Sequence, residues 1–368
     1  MFTKKILFFP FLVLIIAGIV GWFVFGKNDS LYETKYERES VQVRFDMEIF
    51  DKILENYWQK IEEADLAELF RFSLAKVASS TEVVLSSNDR GGIAKALLDT
   101  IEKIPEDEKK ELALNTGVIV LANLAPQGRN GLLSDKEEIA FRNDVNNINP
   151  ETGQAEPTLS YRTLSSGTLY VDLSKISATT IQEVAELFSQ YSATNTPAGL
   201  ILDIRGNAGG ALDFARYFFS MFIGPNQYVY DYFHQGELKP ERTPAFNKLE
   251  MLSKVKNIAV LTDENTQSTS ELLASIFKRF RLAKIVGMQT KGWGTVENTF
   301  PLETNLGDGN KYSILLVHSL TLREDGEPIE GRGIDPDINL KNANWRQQLT
   351  NAFQSSAFVN DLAKILSK

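Results

Sequence analysis

The 368-residue sequence contains no cysteine. That removes disulfides, thiolate metal sites and a cysteine nucleophile at once, and it fits an oxidising or a reducing compartment equally. Histidine is nearly absent, with only His234 and His318. Zinc centres draw heavily on His and Cys ligands, so metal catalysis is not expected. Any Ser-His-Asp arrangement would have to recruit one of these two rings. His318 lies in YSILLVHSLTL, which reads as a strand, and a packed strand histidine is the expectation. Positive charge is not in excess either: the formal net charge is −9. Nucleic-acid binders carry basic patches, so no nucleic-acid partner is expected. Internal repeats and low-complexity segments are missing as well.

What remains has an ordinary globular composition, 43% hydrophobic and 24% charged, and the length suits two or three structural units. One stretch stands apart. Residues 6–25, ILFFPFLVLIIAGIVGWFVF, carry no charge and are long enough to cross a bilayer, with Lys4 and Lys5 placed for the cytoplasmic side. A cleaved signal peptide has a shorter apolar core and a small-residue cleavage site, whereas this run ends in Trp22, Phe23 and Phe25. The expectation is an uncleaved transmembrane signal anchor at 1–27, with the body on the extracytoplasmic side; cleavage would leave the body in the same place.

Residues 28–44 read as a polar tether. From 46 to 124 the apolar residues recur at helix spacing, as in Ile49, Ile53, Leu54 and Trp58, so 28–142 is expected to be a tether followed by a small helical domain. NDVNNINPETGQAEP (143–157) is turn-rich and is expected as a linker. Beyond it the pattern changes. AGLILDI (198–204) and KNIAVLTDE (256–264) hold apolar runs of the kind found in strands buried on both faces. They alternate with amphipathic helical stretches, which predicts an α/β core with parallel strands over 158–341. Residues 342–368 are expected to form one covering helix.

RGNAGG (205–210) follows a buried strand and opens a helix. It is compatible with a tight turn, a phosphate cradle or an oxyanion hole, since glycines let backbone N–H groups face a ligand. No Lys-Ser/Thr follows it and G-x-G-x-x-G is absent, so a nucleotide-binding role has little support. TDENTQSTSELLASIF (262–277) places Ser268 three residues before Glu271 and ahead of a helical run. That spacing is a capping box. A serine there is also well placed for catalysis, because the helix dipole and the Thr269 N–H favour an oxyanion beside it. Ser275 and Lys278 match S-x-x-K, but the S-D-N and K-T-G elements that accompany it are missing.

Four ordered segments settle the choice of comparison: LILDIRGNAGG, NTQSTSELLASIF, VGMQTKGWGTVE and GEPIEGRGIDPDINL. Together they resemble the carboxyl-terminal processing, or tail-specific, serine protease family over about residues 167–340. The resemblance implies an α/β core of strands and helices and hydrolysis of peptide bonds by a Ser–Lys dyad without cofactor. It implies protein or peptide substrates with flexible apolar tails. The family's nucleophile falls on Ser268, and its oxyanion donors fall on Thr269 and on Gly209 or Gly210. The sequence departs from the pattern at the base: Trp293 stands where the lysine belongs, and Glu297 replaces the supporting glutamine. Lys291 lies two positions early and is the expected base, with Glu297 or water as the slower alternative. A residue shifted by two in a strand keeps its face but moves about 6–7 Å. The family's common PDZ module has no counterpart here, since 45–125 reads as helical. A peptide-binding relative that has lost turnover is therefore the competing expectation.

Overall fold

A computed structural model describes residues 33–79, 83–192, 194–307 and 309–367. The apolar run at 6–25, and with it the expected anchor, lies outside the described residues. Among those, no helix is long and apolar enough to cross a membrane.

The N-terminal part is helical, as its periodicity predicts. It comprises α1 (Lys35–Glu39), α2 (Val41–Asn56), α3 (Glu63–Val77), α4 (Arg90–Ile101) and α5 (Glu106–Asn123). Two caps start its helices: Ser40 accepts from the Val43 N–H and Asp89 from the Gly92 N–H. The expected polar tether is already folded at α1. Glu37 is buried there and paired with Arg90 at 2.7 Å, an ion pair that gives a charged segment a reason to dock.

A strand not anticipated in this region, β1 (Gly131–Ser134), follows, then α6 (Asp135–Val145), which runs into the expected linker. The rest of that linker is a turn closed by an Ile148–Ala155 bridge. The α/β part is built from β2 (Leu159–Thr163), β3 (Thr168–Leu173), α7 (Thr180–Ser189), β4 (Gly199–Asp203), α8 (Asp213–Ile223), β5 (Tyr228–His234), β6 (Glu237–Arg242), α9 (Glu250–Lys254), β7 (Ile258–Thr262), α10 (Thr269–Arg279), β8 (Lys284–Gly287), β9 (Thr295–Pro301), β10 (Tyr312–Thr321) and β11 (Ile338–Asn339). The expected single C-terminal helix is two, α11 (Trp345–Ala352) and α12 (Ser356–Leu366). Phe353 turns extended and Ser355 caps α12 by accepting the Phe358 N–H, so the chain breaks and folds back.

Two sheets result. One has the order β11-β8-β7-β4-β3-β2, parallel except for β2 at its edge. Its central strands β4 and β7 are buried at every position, which is what their uninterrupted apolar runs predict. Leu200 and Leu202 face a core built with α7, α8 and α10, while Ile201 faces a second core built with α11 and α12. The other sheet is antiparallel, β1-β10-β5-β6 with β9 also on β10.

The helical region does not own a separate core. Leu302, Leu306, Tyr312, Ile314 and Leu316, from β10 and the turn before it, are buried in the same cluster as Phe45, Phe50, Phe70 and Leu97. The β5–β6 hairpin tip adds a polar anchor. Gln235 donates its side-chain N–H to the Leu54, Glu55 and Tyr57 carbonyls at the end of α2. Those carbonyls have no intrahelical partner, so the hairpin caps the helix. Helical region and sheet are thus tied by apolar burial and by hydrogen bonds.

Candidate active site

Three loops leave the carboxyl ends of β4, β7 and β8, where open α/β sheets collect their ligands. The first is Arg205–Gly210. Its base is fixed by Asp203, which receives the Arg205 guanidinium in two hydrogen bonds of 2.8 and 2.6 Å and the Tyr170 hydroxyl at 2.7 Å. Asn207 is fully buried; its amide donates to the Leu173 carbonyl and accepts the Gly209 N–H at 2.8 Å. The second loop carries Ser268. Thr266 crosses to the first loop by donating to the Ile204 carbonyl, and the Gln267 N–H donates to the Asn207 carbonyl. The third is 288–294, whose Lys291 N–H donates to the Thr266 carbonyl at 3.0 Å.

Ser268 has φ 57° and ψ −129°. Side-chain-bearing residues rarely adopt this conformation, which costs on the order of 1–3 kcal/mol. A serine serving only as an N-cap has extended backbone and needs no such strain. The turn throws the half-buried side chain of Ser268 off the start of α10. Glu271 accepts the Ser268 N–H at 2.9 Å, which is the carboxylate half of the predicted capping box. The Ser268 hydroxyl faces the Glu271 N–H and completes the box, while the same N–H donates to the Ser268 carbonyl at 2.8 Å.

The glycines of the first loop are there for space. A Cβ on Gly209 would stand 2.7 Å from the Ser268 Cβ and 2.9 Å from the Thr269 nitrogen. One on Gly210 would meet the Ile176 carbonyl oxygen at 1.7 Å. Both have positive φ. Thr269 ties the loops together by donating its hydroxyl to the Gly210 carbonyl at 2.8 Å. Of the three expected oxyanion donors, the Gly209 N–H is already committed to Asn207. Among the described residues, the Gly210 and Thr269 N–H groups have no acceptor.

Glu271 is the hub, and the spacing reading reached only its capping role. It is fully buried and accepts from the Thr290 hydroxyl, from the Gly292 and Trp293 N–H groups at 2.7 Å each, and from Ser268. One carboxylate therefore clamps the third loop to the serine turn. Burial pushes its pKa above the ordinary carboxylate range, and the four donors oppose that rise. The segment 329–334 closes the far side. Ile334 donates to the Thr290 hydroxyl, Gly331 donates to the Gly292 carbonyl, and Glu330 accepts the Gly294 N–H at 2.9 Å.

Lys291 is exposed, and its ammonium sits 5.4 Å from the centre of the Trp293 ring. No hydrogen bond joins it to Ser268. Arg129 also lies over Trp293, its guanidinium carbon 3.2 Å from the centre of the ring. The Trp293 indole N–H approaches Glu297 at 3.4 Å, and Glu297 also accepts the Thr295 hydroxyl at 2.6 Å. Nothing in the local sequence around residue 129 announces this contact, because its partner is more than 160 positions away. The two histidines are stacked on each other in the antiparallel sheet, 4.2 Å between ring centres. His234 Nδ1 is bonded to the His318 carbonyl at 2.6 Å, and burial together with the neighbouring ring pushes His318 down to about 4. Neither is hydrogen-bonded to Ser268. No group of three or more His, Asp or Glu among the described residues could hold a metal ion.

Residues 167–340 match the model for peptidase family S41. The chain is 28% identical over 176 residues to the carboxy-terminal processing protease CtpB of Bacillus subtilis, covering 48% of this chain and 34% of that one. It is 32% identical over 145 residues to a carboxy-terminal-processing protease of Bartonella bacilliformis, covering 39% and 31% respectively. The chain thus spans about a third of the length of these curated relatives. Among solved structures it is similar to a lipoprotein from Streptococcus agalactiae, with TM-score 0.55, 17% identity, and 84% and 95% of the two chains covered. It is also similar to a photosystem II D1 C-terminal processing protease, with TM-score 0.52, 14% identity, and 82% and 93% covered. These two likenesses concern the fold.

Proposed function

Because this chain belongs to peptidase family S41 through residues 167–340, we propose that it is a membrane-anchored, extracytoplasmic serine peptidase with Ser268 as nucleophile. The observation that carries this reading is the strained Ser268 backbone, φ 57°, at the entrance of a helix and facing the Gly209–Gly210 turn. Family membership implies protein or peptide substrates; flexible apolar tails are the proposed class. The Ser268 oxygen attacks the scissile carbonyl and its proton passes to the base. The resulting oxyanion is received by the Thr269 and Gly210 N–H groups, with the α10 dipole behind them. Collapse expels the amine, which takes up the proton, and water then hydrolyses the acyl-serine. No cofactor is required.

The proposed base is Lys291. It must leave the Trp293 ring and be covered by bound substrate, since a lysine becomes a base when burial lowers its pKa. The second reading is a relative that grips peptides without cutting them. Its support is the position of the Lys291 ammonium over the Trp293 ring, with no hydrogen bond to Ser268 among the described residues.

The test uses the full chain in detergent with an unfolded reporter ending in an apolar tail, beside Ser268→Ala and Lys291→Ala. Cleavage abolished by both substitutions is the expected result. Loss with Ser268→Ala alone would move the base to Glu297 or water. Binding without cleavage by the wild type would hand the site to the second reading. Accessibility of the body to protease added outside intact cells tests the topology.

A further inference from the structure

Arg129 belongs to the segment between α5 and β1, in the helical region rather than in the family domain. Its side chain is 13% exposed and reaches two parts of the site. The guanidinium is stacked on Trp293 with its carbon 3.2 Å from the ring centre, and one nitrogen bonds Glu330 at 3.0 Å. Glu330 in turn accepts the Gly294 N–H, while the Trp293 N–H is held by Glu271, which also holds Ser268. A second guanidinium nitrogen is buried with no hydrogen-bond partner. The stack on the Trp293 face offsets part of the cost of that buried cation.

The segment that presents Arg129 is itself firmly held. The Ala125 carbonyl accepts the Tyr57 hydroxyl and, at 2.9 Å, the Trp58 indole N–H. The next residue, Asn130, accepts the Val317 N–H at 2.7 Å and donates to the Leu124 carbonyl. The arginine therefore projects from a fixed base onto the loop that carries Trp293. An arginine suits this place: its planar fork stacks and hydrogen-bonds at once, whereas an ammonium is a point charge. It cannot serve as the base, because a guanidinium does not lose its proton in proteins.

We propose that Arg129 is a positioning residue of the Ser268 site, supplied by the helical region and acting through Trp293 and Glu330 to fix the 290–294 loop. This rests on the serine-site reading above. It makes the helical region part of the active site rather than an accessory to it.

The experiment compares the wild-type full chain with Arg129→Lys and Arg129→Ala by amide hydrogen exchange, and measures kcat and KM on the reporter. Arg129→Lys keeps the charge and guards against simple misfolding. The expected result in both variants is exchange about 10-fold faster at Gly292, Trp293 and Gly294, with β4 and β7 unchanged. With it, kcat falls about 10–100-fold while KM changes little, as for a displaced catalytic loop. Unchanged exchange across 290–294, or acceleration spread equally over β4 and β7 in the lysine variant, would overturn the proposal. A wild type that never cleaves sinks the peptidase reading alone, and the exchange comparison then decides the role of Arg129 by itself.

Discussion

Among the described residues two carboxyl groups are fully buried, and they live in opposite circumstances. Glu271, at the start of α10, receives four hydrogen bonds from two different segments, the serine turn and the 288–294 loop. Asp46, in α2, has neither oxygen bonded to anything, although it is surrounded by the apolar core of the helical region. Burial raises both pKa values, that of Asp46 well above the ordinary range with nothing to oppose it. The difference separates a charge kept for architecture from one the fold tolerates by neutralising it. A buried acid without donors shifts its protonation, whereas a buried acid with donors organises the chain around itself.

The largest effect is expected from Glu271→Ala. It leaves three backbone N–H groups and a hydroxyl without their acceptor, so stability falls by about 3–5 kcal/mol and reporter cleavage disappears. Equilibrium urea unfolding checks the first and the reporter the second. A folded, active variant of wild-type stability would break the comparison, because Glu271 would then be as idle as Asp46.

Asp46→Asn should act in the opposite direction. The folded state favours the protonated acid, so the native protein holds more protons than the unfolded chain at pH values between the ordinary and the raised pKa. The sign follows from linkage: the contribution of Asp46 is fully present below the ordinary Asp range and is lost as pH rises through the folded value. At neutral pH, Asp46→Asn removes the cost of that group and is expected to stabilise by about 1–3 kcal/mol. Thermal melts of both proteins from acid to neutral pH give the slope as well. Wild type should lose stability with rising pH relative to the variant, and parallel curves would show that Asp46 does not titrate in the fold.

The smallest change sharpens the Glu271 side. Thr290→Val deletes one donor to Glu271 and one acceptor for the Ile334 N–H. A loss of about 1–2 kcal/mol is expected. Hydrogen exchange at Ile334 should rise with it, and an unchanged rate would mean that the closing segment is held by other contacts.

Much of the parallel sheet was legible because its strands carry their own signal. AGLILDI and KNIAVLTDE each hold an unbroken apolar run, and both strands are central and buried on two faces. The antiparallel sheet was not legible beyond β10. β1 has four residues of intermediate burial and β6 is almost wholly exposed, so neither has a hydrophobic alternation to read. The merged core was hidden for a related reason: Leu302 and Tyr312 look like strand residues wherever their partners lie. At the site, the glycine turn and Ser268 were reachable from motif order, and their contact is local to adjacent strand ends. Glu271 showed in the sequence as a cap, because only its partner Ser268, three residues earlier, is near in number. Its links to residues 290–293 were invisible, as was Arg129, since pairing across such separations leaves no spacing to recognise.

The amino-acid sequence alone determined the alternation of strands and helices, the family segments and the order in which they occur. These follow from periodicity and from glycines that no other residue can replace, and such properties are written locally. Tertiary structure decided which way Ser268 faces, which N–H groups remain open beside it, and which cation lies against Trp293. Those depend on where three loops and a distant arginine meet, and a meeting of that kind is fixed by packing rather than by any one stretch of chain.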